Sequence, residues 1–236
     1  MVEKVDAMEL REELLPYNEK YLPGWVECNP TVLQRVLPKK LVCIKESLAD
    51  RKRSESRYFA EANIARMWEP NVKKGWYGSY SWLHSSRWSE FNFRPSGEQW
   101  QRKHKSEFHY ALKTFIKLDV LRELQIVAGA LSKTIHLKVR KGPDLFFIKD
   151  DDHLEFVEAK QDDTVKDHQV ATLALLKRCL NASVRIVRIY PSNHDVHAAD
   201  LGNLEKGDDH TDKFNEYYLD VNNCIKKKAG MLKILV

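Results

Sequence analysis

Three residues stand out by type and spacing: Asp144 in a Pro143-Asp144 pair, and Glu158 and Lys160 in a Glu158-Ala159-Lys160 run. Side chains alternate faces along a strand, so Glu158 and Lys160 project from one face together with Leu154 and Phe156. Asp144 opens the preceding run and can sit opposite them across a short turn. Two carboxylates meeting there make an oxygen-ligand site for Mg2+ or Mn2+, with the Ala159 carbonyl as a further ligand and water and a substrate phosphate completing the shell. Such an ion neutralises charge on a phosphate and acidifies bound water. A lysine beside carboxylates stays protonated, so Lys160 is expected to stabilise developing negative charge rather than act as a base.

The plain alternative for Glu158 and Lys160 is a salt bridge at a strand end. It leaves unexplained why acids stand among Leu154, Phe156, Val157 and Phe147, where burying charge is costly. Gln169 lies four residues after Val165 and four before Leu173, on the inward line of a helix. It is either a satisfied core amide or a group aimed at the site.

Several elements must position these groups. Ser96 can cap a helix running to about residue 118, with Phe108, Ala111, Leu112 and Phe115 as its apolar stripe. Three strand-like runs follow, over 134–139, 144–148 and 154–159, with turns at 140–143 and 150–152. The short second turn suits an antiparallel hairpin. A helix starting near Asp163 or Thr164 has Val165, Leu173, Leu176 and Leu180 as its buried line and Asn181 at its end. The run 184–190 is a further strand, and 211–228 suits a closing helix. This order predicts a layered α/β unit with a mixed sheet.

Residues 141–190 closely resemble the VRR-NUC branch of the PD-(D/E)xK nuclease superfamily. The resemblance rests on the Gly142-Pro143-Asp144 turn, the Val157-Glu158-Ala159-Lys160 strand end, the polar stretch with Asp162, Asp163 and Gln169, and the terminal strand. It implies a restriction-endonuclease-like core with a central mixed sheet flanked by helices, and hydrolysis of phosphodiester bonds in DNA. Asp144, Glu158, Lys160 and Gln169 match the family's positions. The family also places an acid on the helix before the sheet, for which Glu107 is the best candidate and Glu98 the reserve. Structure-selective cleavage of branched, flap or junction DNA in repair or recombination fits such a chain. A catalytically silent DNA-binding scaffold of the same fold and an RNA-directed nuclease are the alternatives; a silent subunit would be expected to have lost an acid or the lysine.

The remaining composition sets the context. The 236 residues divide into a mostly helical, loop-rich region over 1–95, the nuclease core over 96–190, and an extension over 191–236. Within 1–95, the Glu9–Leu15 stretch reads as an amphipathic helix. Residues 66–100 hold five of the six tryptophans, with Lys73, Lys74, Arg87 and Arg94 interleaved, which could stack unpaired bases. The net charge of +5 is uneven: basic pairs at Lys39–Lys40, Lys73–Lys74, Arg102–Lys103 and Arg140–Lys141, and the run Arg51–Lys52–Arg53, contrast with acids around 150–167 and 195–213. Of these, Lys73, Lys74, Arg102, Lys103, Arg140 and Lys141 are the expected DNA contacts, with a homodimer or partner repair proteins as further associations. Cys28, Cys43, Cys179 and Cys224 form no C-x-x-C pair and are expected to be reduced thiols. His194, Asp195, His197 and His210 admit a zinc reading, but the run is loop-like and no cysteine joins it. No apolar segment approaches a membrane span and the start lacks an apolar signal core, so an intracellular protein without a membrane partner is expected.

Overall fold

The computed structural model describes residues 8–49, 58–84, 99–193 and 198–235. Its centre is the hairpin expected to carry the acids. Strands β3 (Leu145–Lys149) and β4 (Leu154–Lys160) are antiparallel, with Leu145 opposite Val157 and Ile148 opposite Leu154. The run Leu145-Phe146-Phe147-Ile148 is buried throughout, as a strand covered on both faces must be. Asp152 closes the turn with a positive φ of 60°.

Two strands flank this hairpin. On one side lies β5 (Ser183–Ser192), parallel to β4 with Glu158 beside Ile186 and Lys160 beside Arg188. The crossover between them is helix α7 (Asp167–Leu180), whose C-terminus is capped by Asn181 in the left-handed region, φ 49°. On the other side lies β2 (Val72–Tyr77), antiparallel to β3. The third strand expected over 134–139 does not form. Helix α6 (Leu118–Thr134) takes residue 134 and the following residues stay irregular. The segment 72–77 occupies the position instead because its ring and its gap both fit. Trp76 stacks on Phe146 with centroids 5.6 Å apart, while a Cβ on Gly75 would come within 2.7 Å of the Phe147 ring.

The amphipathic helix expected near the N-terminus is a strand, β1 (Arg11–Asn18). It lies parallel to β5 and antiparallel to β6 (Glu205–Asp209), so among the described residues the sheet order is β2-β3-β4-β5-β1-β6. Pro16 is tolerated because β6 pairs only with residues 11–14, and beyond them β1 is an edge. Residues 1–95 thus supply two strands of the same sheet as the hairpin.

Helices cover both faces. Short helices α1 (Tyr21–Val26), α2 (Pro30–Val36) and α3 (Val42–Ala49), with α4 (Phe59–Trp68), bury Trp25, Ile44, Leu48 and Phe59 against Leu15, Leu145, Phe147 and Val187. Opposite them, α5 (Gln99–Phe115), α6, α7 and α8 (Thr211–Lys228) bury Phe108, Leu124, Leu173 and Val221 against Phe146, Phe156 and Ile186. The expected stripe of α5 is the buried one, with Phe115 packed at its edge. The chain is therefore a three-layer α/β arrangement around a mixed sheet. No helix among the described residues is long and apolar enough to cross a membrane.

Tryptophans of the 66–100 segment whose side chains are described are core, and the side chain of Trp100 lies outside the described ones. Trp68, Trp76 and Trp82 are all buried, and Trp82 stacks on Phe156. Trp88, Arg87 and Arg94 lie outside the described residues, as do Glu98, Arg51–Lys52–Arg53, His194, Asp195 and His197, and so does the side chain of Arg102.

Candidate functional site

The site lies where the β3–β4 ladder ends. Beyond the Leu145–Val157 pair the strands separate, and Asp144 turns its carboxylate onto β4: its Oδ2 accepts the backbone N–H of Ala159 at 3.1 Å. Gly142, two residues earlier, is packed so closely on Trp82 that a Cβ there would lie 1.9 Å from the indole nitrogen. That close approach delivers the Pro143-Asp144 corner to the sheet. Gly78 fastens the other side by donating its N–H to the Asp144 carbonyl at 2.8 Å.

Glu158 and Lys160 point to the same face, as period-two alternation requires, and both are buried, at 5% and 2% exposure. Lys160 Nζ donates to Glu158 Oε1 at 3.0 Å and to Asp163 Oδ2 at 3.1 Å. Gln169 joins them. It bridges two groups, accepting the Lys166 N–H on Oε1 at 2.8 Å and donating Nε2 to Glu158 Oε1. Helix α7 starts at Asp167 with Lys166 at its cap, not at Asp163 or Thr164. The physical reason is that Arg188 Nη1 donates to the carbonyls of Gln161 and Asp163, at 2.8 and 3.2 Å, which holds this stretch outside the helix with Asp163 beside Lys160.

Arg188 is itself held. Glu12 on β1, 1% exposed, accepts from Arg188 Nε at 2.5 Å and Nη2 at 2.9 Å, and His210 stands 3.4 Å beyond. A chain of charge thus runs from β1 through β5 to the loop that positions Lys160.

Electrostatics of the cluster follow from crowding. Burial, and then the charge of Asp144, push the Glu158 carboxyl well above its usual range. Burial likewise raises Asp144, against the pull of Lys160 and of hydrogen bonds from Ala159 and Ser79. The two carboxyls are close enough to couple, and the coupling raises Glu158 while it lowers Asp144. Burial alone would lower the Lys160 ammonium, but Glu158 and Asp163 outweigh it and the net shift is upward. His168, in the first turn of α7, is lowered by burial and then by Lys166, Lys160 and Lys141. Lys166, Lys160 and Lys141 thus make the surroundings of His168 positive.

Such a donor set suits a hard divalent cation: two carboxyls that repel each other as anions, next to a main-chain carbonyl. On a strand the N–H and C=O of one residue leave on the same side, so the Ala159 oxygen faces the side of Asp144. Among the described residues no group of three or more His, Cys, Asp or Glu side chains gathers elsewhere or here, so the protein would contribute two carboxylates.

Other expected residues are more dispersed. Glu107 on α5 stands 3.5 Å from His104 Nδ1, and its charge reaches Cys43 on α3; neither interaction is with Asp144 or Glu158. The charge of Lys141 reaches His168, and Arg140 is exposed close by in sequence. Lys73 pairs with Asp152 at 3.1 Å, at the far end of the hairpin, about 15 Å along the strands from Asp144. Lys74 lies over the Phe115 ring, and Lys103 pairs with Glu46. Ser79, Glu12, Arg188 and His168 were not anticipated as site residues. Only Arg188 carried a local signal, as one of two arginines, with Arg185, in the otherwise apolar 184–190 run.

The mutual repulsion of the acids makes a pH-dependent prediction. A folded-state pKa raised above the unfolded value gives a contribution fully present below about pH 4.5 and lost as pH rises through the raised value. Asp144→Asn, which keeps an acceptor for Ala159, removes the repulsion. In urea denaturation without divalent ions it should be more stable than the unsubstituted protein at pH 8, by roughly 2 kcal/mol. The difference should vanish near pH 4; an equal difference at both values would show that the two acids do not repel.

Set against protein-family models, curated proteins and solved structures, the chain finds no match in any of the three.

Proposed function

We propose that this protein is a divalent-cation-dependent phosphodiester hydrolase acting on DNA, with a restriction-endonuclease-like core of the PD-(D/E)xK type. The observation that carries the reading is the convergence of Asp144, Glu158 and Lys160 at the open end of one hairpin, with Gln169 and Asp163 holding the lysine and the glutamate. A structural salt bridge needs one acid and one base. Here two carboxyls are pressed together at a cost to stability, which is expected where a cation is to be received. The order β3, β4, α7, β5 also carries the Gly142-Pro143-Asp144 turn, the Val157–Lys160 strand end, the polar stretch with Gln169 and the terminal strand on which the VRR-NUC resemblance rests.

Asp144, Glu158 and the Ala159 carbonyl would hold Mg2+ or Mn2+, which supplies Lewis-acid neutralisation of a phosphate oxygen and acidifies water. The chain's own groups do the rest. Lys160 keeps its proton and presents a fixed ammonium to charge building on the phosphate. Gln169 fixes the Glu158 carboxyl, and Asp163 fixes the free end of Lys160, so neither must reorganise during reaction. Lys141, Lys166 and Arg140 form a positive border suited to a phosphate backbone.

The test is direct. Purified protein with Mn2+ is offered duplex, flap, fork, four-way and single-stranded DNA, and RNA of the same sequence. Cleavage of at least one DNA substrate, stopped by a chelator and restored by added Mn2+, is expected. Chelator-resistant cleavage, or none on any substrate, would sink the proposal.

A further inference from the structure

On the other face of the sheet, at the C-terminal end of β1, lies a cavity of about 1010 Å³. Leu15 and Tyr17 of β1 contribute to its wall, with Tyr21 of α1, Leu33 of α2 and Met67 of α4. Its charge is one-sided. Arg35, Lys39, Lys45 and Arg66 all line it, and none of its lining residues is acidic. Arg66 is neutralised by Glu69. Arg35, Lys39 and Lys45 are exposed and have no carboxylate partner among the described residues.

The basic rim is built rather than incidental. Glu69, only 4% exposed, accepts the backbone N–H groups of Lys39 and Lys40 at 2.6 and 2.8 Å, which pins that segment at the cavity edge. Amide side chains of Asn18, Gln34 and Asn63 complete the lining. The position has meaning as well. In open α/β sheets ligands bind beyond the carboxyl ends of parallel strands, and β1, β5 and β4 all end on this side. Burial, and then the charge of Asp162, raise the Tyr17 hydroxyl.

We propose that the cavity binds a nucleotide unit, its base against Tyr21 and Met67 and its phosphate among Arg35, Lys39 and Lys45. Aromatic and thioether surface, amide groups and unpaired cations around a space of this size match the chemistry of a base joined to a phosphate, and exclude a cationic ligand. The inference deepens the hydrolase reading, on which it rests for the source of the nucleotide: a unit of the substrate strand beyond the cleaved bond, or a free mononucleotide.

The experiment is titration calorimetry on the full chain in chelator, with dTMP, the tetranucleotide of thymidine and inorganic phosphate as probes. Proteins compared are the unsubstituted chain, Asp144→Asn, and the Lys39→Glu/Lys45→Glu pair, whose side chains are exposed. The better nucleotide probe should bind at least about tenfold more tightly than phosphate, lose about tenfold in the charge-reversed pair, and be unaffected by Asp144→Asn. Tighter binding of the tetranucleotide than of dTMP assigns the site to the substrate strand; equal binding assigns it to free nucleotide. No nucleotide binding, binding no better than phosphate, or indifference to charge reversal overturns the proposal. Nucleotide binding that persists when no substrate is cleaved leaves the cavity standing and removes the hydrolase reading alone.

Discussion

Lys160→Met should abolish phosphodiester cleavage, lowering the rate by about a thousandfold or more while nucleic-acid binding changes little. The expected size is that of a preorganised charge removed from a water-poor site. Lys160 is 2% exposed and bonded to two carboxylates, so its ammonium is held in place before substrate arrives. Methionine keeps most of the stem and its packing. Lys160→Arg should not rescue, since a planar fork cannot replace a point charge between Glu158 and Asp163. Cleavage rates under single-turnover conditions, with melting temperature and DNA affinity measured alongside, decide the matter. A rate within tenfold of the unsubstituted protein would take Lys160 out of the chemistry and leave it as one half of a structural ion pair.

Glu12→Ala should cost about 3 kcal/mol of stability, the usual penalty for stranding one member of a buried pair. Glu12 is buried on β1 and grips Arg188 with both oxygens, although 176 residues separate them. Burial by itself would raise the Glu12 carboxyl, but Arg188 and His210 outweigh it and hold it below its usual range. A lowered folded-state pKa gives stability present above about pH 4.5 and lost as pH falls through the lowered value. The difference between Glu12→Ala and the unsubstituted protein should therefore shrink in acid, opposite in sense to the Asp144–Glu158 pair. Removing both partners, as Glu12→Leu with Arg188→Met, should recover much of the loss in urea denaturation. Cleavage should not recover with it, because Arg188 also anchors the carbonyls of Gln161 and Asp163. Recovery of both together would show that Arg188 has no part in placing Lys160.

The hairpin, α7, β5, α8 and the stripe of α5 could be read in the sequence because each is written locally. Leu145–Ile148 is a continuous apolar run, Asn181 ends a helix, and Glu158 and Lys160 are two residues apart on a strand. Gln169 was readable only as a choice between core and site. Its contact with Glu158 resolves the choice toward the cluster. The strand expected over 134–139 and the helix expected over Glu9–Leu15 failed for one reason. Local preference decides an element only where no stronger pairing competes, and here α6 and the edge of β5 competed.

By itself, the sequence determined the acids, the amine and the hairpin that brings them within reach, since these depend on alternation along a strand and a short turn. The tertiary structure alone decided which distant segments complete the sheet and hold the site. Glu12 and Glu13 are neighbours in a stretch that reads as a helix, yet on β1 they point to opposite faces and find Arg188 and Arg185 on β5. Partners so far apart in the chain leave no mark in local spacing, because their energy comes from burial and charge pairing that exist only once the sheet has closed.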